Sequence, residues 1–72
     1  SNEMRIVELN SEISQANAYI AAYNKKKENL SKKISEIEDK LKSGEDVILS
    51  MELSRLKSEM ESLDKKIDFE IN

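Results

Sequence analysis

The sequence predicts an all-α protein: an antiparallel two-helix coiled-coil hairpin that associates with a second copy of itself. Three observations lead to this fold class. Apolar residues recur at alternating spacings of three and four along the first half of the chain, one glycine-containing break follows, and the same spacing then resumes. A repeat of 3.5 residues places its members on one side of a helix, where another helix must cover them.

The first helix is predicted over residues 3–42. Its repeating positions, which we call the seam, are Ile6, Leu9, Ile13, Ala16, Ile20, Tyr23, Lys27, Leu30, Ile34, Ile37 and Leu41. Only Lys27 is charged. A polar residue inside a coiled-coil core can specify register and partner at some cost in stability. Alternatively, the aliphatic stem of the lysine packs in the core while its amino group reaches solvent.

A turn is predicted at residues 43–46. Gly44 is the only glycine of the chain, and glycine favours the backbone conformation that ends helices. Lys42 precedes it, where positive charge suits a helix C-terminus, and Glu45 follows it, where negative charge suits an N-terminus. Ser43 and Asp46 have the spacing of a capping box, which we expect to begin the second helix.

The second helix is predicted over residues 46–71 and folds back on the first. Counting outward from the turn pairs Leu41 with Leu49 and Tyr23 with Ile67. Residues 25–42 carry seven Lys against four acids, whereas residues 43–72 carry eight acids against four bases, so antiparallel pairing aligns opposite charges. The expected hairpin core is Leu30, Ile34, Ile37, Leu41, Leu49, Leu53, Leu56, Met60, Leu63 and Ile67.

In this register residues 4–17 extend beyond the second helix as an overhang without a partner in the chain. An exposed apolar seam is an association surface, and a lone hairpin of this length has marginal stability. We therefore expect a homo-oligomer, most simply a dimer in which two hairpins share a four-helix core. The predicted association residues are Ile6, Leu9, Ile13, Ala16, Tyr19, Ile20 and Tyr23, because small alanines allow close helix approach and tyrosines offer a large contact area.

Composition argues against several classes of function. The chain has neither Cys nor His, which excludes thiolate chemistry and the commonest general base and metal ligand. No signal-peptide pattern and no bilayer-spanning apolar run is present, so a soluble, cytoplasmic protein without a membrane partner is expected. The net charge is −3 and Glu28 interrupts the lysine run at residues 25–27, so nucleic-acid binding is not expected. We predict no catalytic residue, no cofactor and no metal site.

The segment Ser50-Met51-Glu52-Leu53-Ser54-Arg55-Leu56 resembles the Ser-Gln-Glu-Leu-Asp-Arg-Leu motif of the small sporulation-type aspartyl-phosphate phosphatases. Those proteins are two-helix hairpins that dephosphorylate response regulators, with the motif on the second helix. Five of seven positions agree. Ser54 stands where the family has its Asp and Met51 where it has Gln, so the resemblance implies at most a response-regulator binder without the activity.

Two further resemblances concern architecture. The small helical-hairpin co-chaperones of type III secretion needle subunits have a similar length and a Gly- and Asp-containing turn, which corresponds here to Gly44 and Asp46. They clamp an aggregation-prone helical subunit. The transcript-cleavage factors that enter the secondary channel of RNA polymerase also carry an acidic hairpin tip, comparable to Glu45-Asp46, although the signature around their tip is not present in this sequence.

The function predicted from the sequence is protein–protein interaction without catalysis, as a small adaptor, co-chaperone, assembly factor or inhibitor of a larger partner. The alternatives are the needle-type co-chaperone, the phosphatase-like regulator, and a structural coiled-coil fragment of a longer protein. High Lys, Asn, Ile and Ser usage is typical of an AT-rich genome, such as that of a bacterium or phage.

Overall fold

The computed structural model describes residues 1–72 and contains two helices, α1 (Asn2–Leu41) and α2 (Val47–Ile71), without strands. The helices pack against each other as a hairpin, which confirms the all-α hairpin predicted from the seam. The molecule measures 64 × 15 × 13 Å. At 1.5 Å per residue, α1 alone is about 60 Å long, so this helix determines the length of the whole molecule.

The turn between the helices depends on Gly44. Its N–H donates a hydrogen bond to the carbonyl oxygen of Leu41 at 3.2 Å, and its φ of 148° lies in a region that side chains disfavour. This bond satisfies one of the carbonyl groups left free where α1 ends. The predicted break at the glycine is therefore the point at which the chain reverses.

The expected capping box at Ser43 is wrong, because Asp46 is itself the N-cap of α2. Asp46 has an extended backbone (φ −145°, ψ 110°), and its Oδ1 accepts a hydrogen bond from the Leu49 N–H at 3.0 Å. That geometry places the carboxylate beside the unpaired amides of the first turn. Ser43 lies one residue before Gly44, too early in the turn to reach them.

The core of the hairpin consists of four buried side chains: Leu30, Ile37, Leu56 and Leu63. Partly buried residues pack around them, namely Tyr23, Ile34, Leu41, Leu49, Leu53 and Met60. Ile67 is half-buried further along α2. Two adjacent helices can enclose only the narrow strip between them, so most of the remaining surface faces solvent.

Two contacts define how far α2 extends along α1. Lys27 Nζ forms an ion pair with Asp64 Oδ1, and Lys66 Nζ lies 5.9 Å from the centre of the Tyr23 ring. Both contacts agree to within about a residue with the pairing counted outward from the turn. Continuing that pairing places Ile71, the last residue of α2, beside about residue 19 of α1.

Opposite charges on the two helices contribute only one direct ion pair, the one between Lys27 and Asp64. The other ion pairs lie within a single helix, between residues three or four apart: Arg5–Glu8, Lys25–Glu28, Lys32–Glu28, Lys42–Asp39, Arg55–Glu52 and Arg55–Glu59. Exposed pairs of this kind contribute about 0.2–1 kcal/mol each. Apolar packing, rather than charge, therefore supplies most of the attraction between α1 and α2.

Candidate interaction surface

The most conspicuous surface feature is the part of the seam that α2 does not reach, which we call the free seam: Ile6, Leu9, Ile13 and Ala16. Ile6 and Ile13 are each 57% exposed and Leu9 is 39% exposed, whereas Ala16 is half-buried. The same residue types on the same side of α1 are buried where α2 covers them, as at Leu30 with 8% exposure. The free seam is thus a core-type surface without its second helix.

The size of this surface follows from the two helix lengths. With 40 residues in α1 and 25 in α2, and 1.5 Å per residue, α1 exceeds α2 by about 20 Å. Apolar side chains recur over about 15 Å of that length, from Ile6 to Ala16, at alternating spacings of three and four. This is the pattern by which a helix packs lengthwise against another helix.

Two tyrosines lie where the free seam meets the hairpin core. The rings of Tyr19 and Tyr23 are stacked, with centroids 6.4 Å apart and an angle of 25° between their planes. Gln15 Nε2 donates a hydrogen bond to the Tyr19 hydroxyl at 2.9 Å, while Lys66 of α2 approaches the Tyr23 ring. Tyr23 and Ile20 are half-buried, but Tyr19 is 44% exposed. Of the seven predicted association residues, these three therefore lie at the boundary between the covered and the uncovered part of α1.

Exposed large apolar side chains occur in three places. The first is the N-terminal part of α1, with Met4, Ile6, Val7, Leu9, Ile13 and Tyr19; the second is the start of α2, with Val47, Ile48 and Met51; the third is its end, with Phe69 and Ile71. None lies in the hairpin body, residues 20–41 and 52–68, where the helices cover each other's seams. Any apolar association must therefore use the overhang, the start of α2 or the end of α2.

Sequence reasoning missed the second of these places, the tip patch formed by Val47, Ile48 and Met51. These side chains are 74%, 77% and 68% exposed. A signal was available, because three apolar residues lie within one turn of helix but outside the seam that contains Leu49. Three apolar positions directly after a helix N-cap are more than the hairpin core requires.

The segment that resembles the phosphatase motif is accounted for by the hairpin itself. Leu56 is the most buried residue of the chain, with 1% exposure, and Leu53 is half-buried beside it. Arg55 Nη2 lies 2.6 Å from Glu52 Oε1. The hydrogen bond from Arg55 lowers the pKa of Glu52, with further help from the charges of Arg55 and Lys33, and the same hydrogen bond raises the pKa of Arg55. Ser54, at the position of the family's Asp, is exposed.

The lysine-rich part of α1 borders an open groove between the helices. Lys26 and Lys33 of α1 and Lys66 and Glu59 of α2 line this groove. The groove therefore mixes charges of both signs. No group of three or more acidic side chains in the structure is placed to hold a metal ion. Neither helix has an apolar stretch of the length needed to cross a bilayer.

Comparisons with protein-family models, with curated proteins and with solved structures found no match to this chain.

Proposed function

We propose that this chain is a non-catalytic protein–protein interaction module whose overhang binds a helix through the free seam. The module is a homodimer, in which two hairpins bring four helices together, and it serves as an adaptor, co-chaperone, assembly factor or inhibitor of a larger protein. The observation that carries this proposal is the exposure of Ile6, Leu9 and Ile13 in an overhang about 20 Å long.

The physical reason is the free energy gained when the free seam leaves water. Complete burial of one Leu or Ile side chain contributes about 1.5–3 kcal/mol. Three such side chains on each of two helices provide part of this free energy, because two adjacent helices enclose each side chain only in part, and the entropy lost on association opposes it. A second helix with the same 3.5-residue repeat is the partner whose shape fits this surface.

The non-catalytic part of the proposal is supported by the side chains available. Cys and His are absent, and several carboxylates are paired with Lys or Arg on the same helix, as Glu52 and Glu59 are with Arg55. Catalysis usually needs a nucleophile or base activated by its neighbours. We expect no phosphatase, nuclease or protease turnover, and dephosphorylation of a response regulator that Glu52→Ala abolishes would contradict this expectation.

The test of the interaction module is sedimentation equilibrium over micromolar concentrations. We expect the unmodified chain to form a dimer, and Ile13→Glu to dissociate it by placing a charge in the free seam. Ser14→Glu is the matched control, because it adds the same charge at an exposed position outside the seam. A single 8.3 kDa species for the unmodified chain throughout this range would contradict self-association.

A further inference from the structure

We infer that the occupant of the free seam is the overhang of a second copy, running antiparallel, so that two hairpins join end to end. This inference rests on the self-association proposed above. It adds the identity of the bound segment, its direction and its register. In place of the shared four-helix core expected from the sequence, the four helices of the dimer then form one long rod that is two helices thick at each level, with the turns at its two far ends.

Continuity with the hairpin interface is the first argument. The free seam is the direct extension of the seam that α2 covers, and α2 ends beside about residue 19 of α1. A second antiparallel helix placed in line with α2 would cover the rest of the seam in the same manner. The overhang of another copy has the right pattern, because it carries the same alternating spacing of apolar residues.

The register of this pairing follows from the spacing. The intervals in the free seam are three, four and three, so the pattern is the same when read in either direction. In the antiparallel pair, Leu9 of one copy faces Ile13 of the other, and Ile6 of one copy faces Ala16 of the other. Each pairing occurs twice, which makes four apolar layers. The small alanine opposite isoleucine at the outer layers suits close packing between the helices.

The length available agrees with this register. Ile6 opposite Ala16 places Asn2 of one copy beside Ile20 of the other, and α2 of that copy ends near the same level. The end of one overhang and the end of α2 thus meet to within about one helical turn. If one overhang is moved by one heptad towards the turn of the other copy, it collides with α2 of that copy. If it is moved by one heptad in the opposite direction, two of the four apolar layers lose their partners.

Exposed apolar side chains at that meeting point support the same arrangement. Phe69 and Ile71, near the end of α2, are 81% and 66% exposed. Met4, near the start of α1, is 66% exposed and lies outside the seam. Antiparallel pairing brings Met4 of one copy to the end of α2 of the other. Side chains that have no role in the isolated hairpin then become neighbours.

The other arrangements of two copies meet obstacles visible in the structure. A core shared along the hairpin bodies would have to use faces without an exposed large apolar side chain. Parallel pairing of the overhangs would direct both copies of α2 into the same space, because each α2 continues along the seam that faces the other copy. The antiparallel pair avoids this conflict, since the two hairpin bodies point away from each other.

Spin-label distances test the arrangement directly, since the chain has no Cys that would compete for labelling. We would label the exposed serines separately, as Ser11→Cys and Ser31→Cys, and measure the distance between copies by pulsed dipolar spectroscopy. Ser11 lies between Leu9 and Ile13, at the centre of the antiparallel pair. We expect the two labels at Ser11 to lie within about 30 Å of each other and those at Ser31 to be about 60 Å apart.

Each other outcome has a distinct meaning. Short distances at both positions indicate parallel pairing, and a long distance at Ser11 with a short one at Ser31 indicates association through the hairpin bodies. Either result overturns the end-to-end arrangement but leaves the proposed interaction module intact, because a dimer is still present. Absence of any dipolar coupling, together with a monomer in sedimentation equilibrium, overturns both the arrangement and the proposed self-association.

Discussion

Lys27 occupies the seam and yet keeps its charge paired near the surface. Its side chain is 29% exposed, and its amino group forms the ion pair with Asp64 on α2. The aliphatic stem thus packs between the helices while the charge reaches the rim of the core. Asp64 is 56% exposed, so solvent weakens the attraction between the two charges. Burial of Lys27 therefore stabilises the hairpin less than burial of the neighbouring leucines does.

Lys27→Leu should therefore raise the stability of the hairpin. The leucine gains part of the 1.5–3 kcal/mol of a buried side chain and loses an ion pair worth about 0.2–1 kcal/mol. We expect a melting temperature several degrees higher by circular dichroism. Lys25→Leu is the control, since this lysine is 68% exposed and paired only within α1. A decrease for Lys27→Leu would mean that the pair with Asp64 contributes more than leucine packing.

Glu12 is the charged residue whose surroundings differ most clearly between an antiparallel and a parallel dimer. It is exposed in the hairpin and lies next to Ile13, on the flank of the free seam. In the antiparallel pair the two copies of Glu12 face each other across the two-fold axis, where like charges repel. In a parallel pair Glu12 would instead lie opposite the uncharged Asn17 of the other copy.

Glu12→Gln should consequently tighten the dimer, lowering the Kd about two- to five-fold as expected when one exposed charge repulsion is removed. Glu36→Gln, in the hairpin body, makes the same change in net charge far from the axis and should leave the Kd unaltered. Sedimentation equilibrium at low ionic strength measures both variants. Equal tightening by the two substitutions would point to net charge alone and argue against the placement of Glu12 at the axis.

At the scale of the elements, the turn and the first residue of α2 determine how the hairpin closes. Gly44 supplies a backbone conformation with positive φ, and Asp46 supplies the acceptor for the Leu49 N–H. The Asp46 carboxylate also interacts favourably with the positive end of the helix dipole. Two residues of different chemistry, two positions apart, thus end one helix and begin the next.

Asp46→Ala should lower the free energy of unfolding by about 1 kcal/mol, the usual cost of losing an N-cap. In a domain of this size that corresponds to a decrease in melting temperature of about 4–8 °C. Ser43→Ala is the matched control, and it should change stability little because Asp46 caps α2. If the two variants lost equal stability, Ser43 would have a capping role in solution after all.

At the scale of the whole molecule, the hairpin body is closed and the ends are open. The body buries its apolar side chains between α1 and α2, whereas the overhang presents the same kinds of side chain to solvent. In the proposed dimer, this division separates the part that folds from the part that associates. In the proposed dimer the interface is about 25 Å long and one helix wide, and an interface this small predicts exchange between monomer and dimer at micromolar concentrations.

Removing residues 1–17 should therefore dissociate the dimer and leave a helical monomer. The remaining chain retains all four buried residues of the core, so we expect residual helicity by circular dichroism. A full-length chain carrying Ile6→Ser and Ile13→Ser is the length-matched control and should also be monomeric. If the truncated chain kept its full oligomeric state, the interface would lie in the hairpin itself, with the tip patch as the first surface to examine.

The sequence by itself determined the two helices, the break at Gly44 and the membership of the seam. These are properties of local chemistry: a 3.5-residue repeat specifies one side of a helix wherever that helix lies, and a single glycine indicates where it ends. The apolar character of the candidate surface could also be predicted, because Ile6, Leu9 and Ile13 continue a pattern that otherwise belongs to a core.

Only the tertiary structure decided how deeply each member of the seam is buried, since the register counted from the turn already predicted residues 4–17 as the uncovered part. Burial depends on where α2 ends along α1, and therefore on the geometry of the turn and on contacts between distant residues, such as that of Lys27 with Asp64. The choice of Asp46 over Ser43 as the cap likewise depends on backbone angles that the spacing alone does not specify. The exposure of the tip patch was decided in the same way, because a side chain is left in solvent only when the folded chain places nothing against it.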